Sequence, residues 1–167
     1  LNNDVELVGV FDKELGNPLH DLTALAIMGI VDALKKLRFF FKLRDELVDL
    51  AKDCDKVLLM DSSGFNLPLA KKLRETYPNK EIIYYILPQA WAWKKGRVKK
   101  LEAYCSKLCS IIPFESEIYN DKNKITYVGH PLLDEIKDFK QELVNTNKIA
   151  FMPGSRKTEI TNLMPIF

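Results

Sequence analysis

The residues of this sequence best suited to chemistry each follow a run of Val, Ile and Leu. Asp61 comes directly after Lys56-Val57-Leu58-Leu59-Met60 and opens the stretch Asp61-Ser62-Ser63-Gly64-Phe65-Asn66. A carboxylate so placed can take the proton from an attacking hydroxyl, a contribution of about 10²–10⁴ in rate. It can equally cap a helix, and Ser62 or Ser63 can do the same. Pro153-Gly154-Ser155-Arg156 forms a strand-to-helix turn with Ser155 as the expected N-cap, although Glu159 stands four residues on, not the three of a capping box. Arg156 and Lys157 then occupy the first helical turn, where a cation meets the positive end of the helix dipole. An anion bound there, such as a diphosphate on free N–H groups with Gly154 allowing close approach, accounts for that placement. Trp91 and Trp93 can stack on a sugar ring or simply fill a core. His130, before Pro131, is an acid, base or donor, or else a turn residue holding its own loop.

These residues need elements to position them. Val5–Phe11, Lys56–Asp61, Glu81–Leu87, Leu108–Pro113, Ile125–Val128 and Lys148–Met152 read as strands, continuous and with little alternation, as in parallel strands covered on both faces. Helical patterns lie between them: Ile27 to about Lys52, Leu67–Glu75, Lys94–Lys107, Ser116–Asn120 and Leu132–Leu143. The alternation predicts an α/β fold, doubly wound, with a mostly parallel Rossmann-like sheet and helices on both faces. In such a sheet ligands bind beyond the carboxyl ends of the strands, where Asp61, Asn66, Trp91, Trp93, His130 and Gly154–Arg156 all fall. The polar stretch Gln141–Asn147 marks the expected domain boundary.

Composition narrows the possible partners. A net charge of +2 over 167 residues implies no strong field for nucleic acid. Two basic bunches stand out, Lys35 to Arg44 and Lys94 to Lys100, each either a solvated helix face or a site for an anionic partner. The cysteines (Cys54, Cys105, Cys109) include no Cys-x-x-Cys pair and read as reduced core residues, with Cys105 and Cys109 at helical spacing. No run of about 18 apolar residues exists to span a bilayer. Within Ile27–Leu43, consecutive Phe39, Phe40 and Phe41 fan over about 200° of a helix, more than one buried face can hold. With Lys and Arg beside them they suit an anionic membrane surface, or else a helix sandwiched between sheet and neighbour. Leu1 is not methionine and Phe167 falls inside an apolar helix pattern, so the chain is expected to be part of something longer.

Taken in order, Met28-Gly29-Ile30-Val31, Asp61 to Asn66, Pro88 to Trp93 with its Trp-Ala-Trp, Pro113-Phe114-Glu115, Val128-Gly129-His130-Pro131 and Met152 to Arg156 with Glu159 resemble the lipid-A-disaccharide synthases over essentially the whole chain. The resemblance implies a GT-B architecture, two Rossmann-like halves with the active site between them. It implies an inverting transfer from UDP-2,3-diacylglucosamine to 2,3-diacylglucosamine-1-phosphate (lipid X), with no cofactor and no metal, at the inner face of the cytoplasmic membrane. A homodimer is a further expectation. By the same resemblance, residues 1–144 are the acceptor and membrane side without its N-terminal strand-loop and Gly-Glu-x-Ser-Gly-Asp motif, and residues 145–167 begin the UDP-sugar domain. Asp61 matches the family's catalytic aspartate, and Arg156, with Gly154 and Ser155, the donor diphosphate loop. Asn66, Trp91, Trp93 and His130 fall at the acceptor side of the cleft, and Val31, Leu34, Leu37, Phe40 and Phe41 match the membrane-docking surface. Gly64 departs from the pattern, since many members carry a second acid there. A UDP-sugar 2-epimerase would share the phosphate loop without needing the Phe patch. A non-catalytic membrane or partner module would keep the patch without needing Asp61 and Arg156 together.

Overall fold

The computed structural model describes residues 5–22, 33–136, 147–155 and 157–166. Its centre is a four-stranded sheet of β3 (Lys56–Met60), β4 (Glu81–Tyr85), β5 (Lys107–Ser110) and β6 (Ile125–Tyr127), in that order and parallel throughout. Ahead of it, β1 (Val10–Phe11) and β2 (His20–Asp21) make a short parallel pair. Register in the main sheet sets Lys56 beside Glu81 and Leu59 beside Tyr84. Glu81 then clamps the amino ends of the strands, its carboxylate 3.1 Å from Lys56 Nζ and 2.8 Å from Lys107 Nζ.

Helices α1 (Ala33–Leu50), α2 (Ser63–Thr76) and α3 (Gly96–Tyr104) supply one core with the sheet. Val48, Leu67, Ala70, Leu73, Val98 and Leu101 meet Leu59, Ile82, Tyr84 and Leu108, all of them buried. A buried side chain of this size contributes about 1.5–3 kcal/mol, so this layer is the main source of stability. The strands alternate more than the sequence implies. Leu59, Ile82 and Tyr84 face the helices, while Leu58 and Met60 are 59% and 49% exposed. Among the described residues the helices cover one face of the sheet, and the parallel α/β arrangement is otherwise as expected.

Other expectations shift for local reasons. Val5–Phe11 narrows to Val10–Phe11, because only those residues find a ladder partner. The helix expected over Lys94–Lys107 ends at Tyr104, and β5 begins at Lys107. Cys105 is therefore a helix cap and Cys109 a strand residue, not one helical stripe. Cys105 is buried, which pushes its thiol up to about 12. The helix expected over Ser116–Asn120 is a 3-10 turn over Pro113–Ile118, with Pro113 at its start where its fixed φ is favourable.

Two compact units divide the chain between Glu135 and Ile136. The first ends in the single turn α4 (Leu132–Glu135). In the second, Lys148–Met152 runs without a ladder partner among the described residues, and Ile149 and Met152 stay 81% and 86% exposed. A strand exists only as part of a ladder, so the apolar run there is not one. It leads into α5 (Lys157–Leu163), and the expected cap by Ser155 turns on residue 156, which lies outside the described residues.

Candidate active site at the carboxyl ends of the strands

Backbone strain gathers where ligands of parallel sheets bind. Asp61 and Ser62, directly after β3, hold φ of 47° and 37°, and Ile86, after β4, holds 56°. Lys94, in the loop before α3, also has φ 56°. Left-handed backbone at non-glycine residues is unfavourable by about 1–3 kcal/mol each and persists where the surroundings over-determine it.

At Asp61 those surroundings are visible. Its N–H donates to Tyr85 O at 3.1 Å. Its carbonyl accepts from Asn66 Nδ2 at 3.0 Å and from the Tyr84 hydroxyl at 2.5 Å. Asn66 Nδ2 also donates to Met60 O at 2.8 Å. Burial pushes the Tyr84 phenol above its usual range, with Cys105 and Asp61 adding to the effect, so the hydroxyl stays a donor. The backbone of Asp61 is thus held from three sides while the residue itself is exposed. Asn66, expected to face the acceptor, instead lies buried beneath this turn with both amide bonds going to backbone. Ser62 is the N-cap of α2 but makes no side-chain cap, so Asp61 and the serines leave that helix end open.

The aromatic residues take two positions. Trp91, 37% exposed, meets Phe114 edge to face at 5.2 Å. Next to Phe114 in sequence, Glu115 is fully buried and accepts from the Ser110 hydroxyl at 2.7 Å. Trp93 is 65% exposed and lies under Lys94 Nζ at 4.2 Å and Arg97 Cζ at 5.7 Å. His130 Nδ1 accepts from the Leu132 N–H at 3.2 Å, so the ring holds its own loop at the start of α4.

An open cavity of about 520 Å³ lies between α2 and α3, lined by Ser63, Gly64, Leu67 and Pro68 on one side and Lys94, Gly96, Arg97 and Lys100 on the other. Three members of the basic bunch, Lys94, Arg97 and Lys100, line this cavity, two residues from Asp61. Sequence reasoning left these three unassigned. The rule applied to Arg156 and Lys157, a cation in a helix's first turn, would have singled out Arg97 as well. A Cβ at Gly64 would meet nothing within 4 Å, so the departure from the family acid there leaves the cavity open.

In the second unit, Gly154 holds φ 107°, and a Cβ there would lie 2.4 Å from Glu159 Oε2. Only glycine fits that turn. Arg156 lies outside the described residues. On α1, Leu37, Phe40 and Phe41 are 56%, 43% and 51% exposed, while Leu43 and Val48 are buried. Phe39 is half-buried against His20 at 5.7 Å, and Arg44 sits 5.2 Å over Phe41. Val31 lies outside the described residues, as does the Leu34 side chain. No helix among the described residues is long and apolar enough to cross a membrane.

Comparison with known proteins identifies the family. The family described as LpxB, lipid-A-disaccharide synthetase, matches residues 1–167. The chain is 50% identical over 167 residues to the lipid-A-disaccharide synthase of Helicobacter pylori (strain G27), covering all of this chain and 45% of that protein. It is 49% identical to the Helicobacter acinonychis (strain Sheeba) enzyme over the same length. With the Campylobacter jejuni (strain RM1221) enzyme the identity is 43% over 182 residues, 98% of this chain and 49% of that one. The chain thus spans just under half the length of these curated relatives. On the full-length match of the family and these identities, the chain belongs to the lipid-A-disaccharide synthetase family.

Proposed function

We propose that the protein to which this chain contributes is an inverting glycosyltransferase of lipid A biosynthesis. It joins UDP-2,3-diacylglucosamine to 2,3-diacylglucosamine-1-phosphate and releases UDP. The observation that carries the reading is Asp61: a carboxylate on a strained, three-point-anchored turn at the carboxyl edge of the sheet, beside a cationic cavity. In this mechanism Asp61 takes the proton from the acceptor 6-hydroxyl as that oxygen attacks the anomeric carbon. The fixed backbone keeps the carboxylate in place, so little of the barrier goes to orienting it.

Residues 1–144 form the acceptor and membrane side, and residues 145–167 open the UDP-sugar side. There Gly154 and Ser155 offer N–H groups to the donor diphosphate, with Arg156 supplying the charge, a stabilisation of departing UDP worth a few kcal/mol per donor. Trp91 and Trp93 flank the acceptor, and His130 fixes the loop beside it. Leu37, Phe40 and Phe41, together with Val31 and Leu34, rest on the inner face of the cytoplasmic membrane, where both substrates reside. A homodimer is part of the same proposal.

The test is Asp61→Asn in the full-length protein. Turnover should fall by about a hundredfold or more, with donor affinity nearly intact, because the loss is of proton transfer alone. Turnover within a few-fold of the native protein would leave Asp61 a structural residue of the turn.

A further inference from the structure

Lys94, Arg97 and Lys100 share one cavity wall, and among the described residues none of them makes an ion pair with a carboxylate. Their position is electrostatically unfavourable for the fold. Arg97 lies in the first turn of α3 and Lys100 one turn on, and that helix has no acid in its first turn and no side-chain cap at Lys95. The N-terminus of α2 reaches the same cavity through Ser63 and Gly64, again with no first-turn acid and no side-chain cap. Two positive helix ends and three cations therefore face one space, with Asp61 two residues before its Ser63 wall, an arrangement that suits a bound anion.

The size of the space sets the kind of anion. About 520 Å³ falls in the range of small-molecule sites, which run to roughly 300–1,000 Å³, and far exceeds what one phosphate group fills. Leu67 and Pro68 give it an apolar floor, and exposed Trp93 stands beside it under Lys94 and Arg97. Cations with a helix terminus take the phosphate, while an aromatic face and apolar floor take a ring. Ser63 lines the cavity two residues after Asp61, so a ring anchored here would bring its hydroxyls to that carboxylate.

We infer that this cavity is a phosphate-monoester subsite that seats the phosphate end of the sugar acceptor and sets acceptor specificity. The inference rests on the glycosyltransferase reading for the identity of the acceptor. The phosphate chemistry stands on the cavity alone. A phosphate monoester carries about −1.5 to −2 at neutral pH, opposite in sign to the Lys94, Arg97 and Lys100 side chains that line the cavity. Lys94, Arg97 and Lys100 are specificity-determining residues here, and Asp61 does the chemistry.

The experiment uses the full-length protein with Arg97→Gln/Lys100→Gln, and Lys99→Gln as a control that removes a charge from the same helix outside the cavity. Inorganic phosphate is titrated and followed by ³¹P NMR. Acceptor kinetics are run with and without the 1-phosphate, and flotation on phosphatidylglycerol vesicles is measured in parallel. The double variant should weaken phosphate binding and raise the KM for the phosphorylated acceptor by about tenfold or more, with kcat and donor KM within a few-fold. The acceptor lacking phosphate should be equally poor for both proteins, and Lys99→Gln should behave as the native protein. Equal phosphate binding by native and double-variant protein overturns the proposal. So does a variant that loses vesicle flotation while keeping its acceptor KM, which would give the cations to a lipid headgroup. A protein with no transferase activity at all would refute the glycosyltransferase reading instead, and the phosphate titration would still decide the cavity.

Discussion

Asn66 and Tyr84 donate to the same carbonyl, that of Asp61, and this shared acceptor makes a sharp test of how the turn is held. Replacing Asn66 with Ala removes two bonds, at 2.8 Å to Met60 O and 3.0 Å to Asp61 O. At about 1 kcal/mol net each, the loss is about 2 kcal/mol, reduced by roughly 0.5 because Ala is the better helix former. Tyr84→Phe removes one bond, about 1 kcal/mol. In either single variant the Asp61 carbonyl keeps one donor. In the double variant it keeps neither, and an unsatisfied carbonyl is unfavourable by about 1–3 kcal/mol beyond the lost bonds.

The double variant should therefore exceed the sum of the singles by at least about 1 kcal/mol. Native-state hydrogen exchange over residues 57–70 of the full-length protein reads this directly, since it reports opening of the segment whatever other domains do. The amides of Asp61, Phe65 and Asn66, bonded to Tyr85 O and Ser62 O, are the probes. Turnover should follow the same pattern with substrate KM nearly constant, because a relaxed turn misdirects the Asp61 carboxylate without touching the cavity. Additivity within about 0.5 kcal/mol would refute the shared-carbonyl account.

Replacing Phe40 and Phe41 with Ser should lower the melting temperature only modestly, since both are about half exposed and Phe40 loses its ring contacts with Phe39 and Phe65, and should reduce binding to anionic vesicles about a hundredfold, roughly 1.5 kcal/mol per ring. A collapsed melting temperature would return both rings to the core. Gly154→Ala should strain the turn at φ 107° and push Glu159 aside, weakening UDP affinity by calorimetry; unchanged affinity would place the diphosphate elsewhere. Hydrogen bonds from Lys107 and then Lys56 hold the Glu81 carboxyl below its ordinary 4.5, so it adds stability above about that pH and loses it as pH falls. The melting-temperature gap between native and Glu81→Gln proteins should therefore close on acidification through that range, and a gap independent of pH would refute the clamp.

Much of this architecture was legible in the sequence, because the strongest signals are local. The apolar runs expected as strands over Lys56–Asp61 and Glu81–Leu87 form strands at Lys56–Met60 and Glu81–Tyr85. Weaker runs failed where pairing decides: Val5–Val8 and Lys148–Met152 have strand composition but no ladder partner among the described residues. The consecutive phenylalanines were readable for a geometric reason. No helix face can bury rings spread over about 200°, and Phe40 and Phe41 are the two left out.

The site was legible by position and obscure by role. Asp61 falls at a strand tip, as its place after an apolar run required, but nothing in the sequence says that it and Ser62 are left-handed. That conformation depends on Asn66 five residues on and Tyr84 on the next strand, a contact that exists only once β3 and β4 pair. Asn66 looked like a cleft residue because polar residues after strands usually are, and here the same polarity serves the backbone. The cations of α3 show the reverse. In sequence they are one basic bunch among two, and a solvated helix face explains either. What separates them is the helix start at Gly96, which puts Arg97 at the wrong end of the dipole and, with Lys100, opposite a second uncapped helix. A charge placed against its own helix, and facing a cavity, is better evidence of a ligand than a larger number of charges on an open surface.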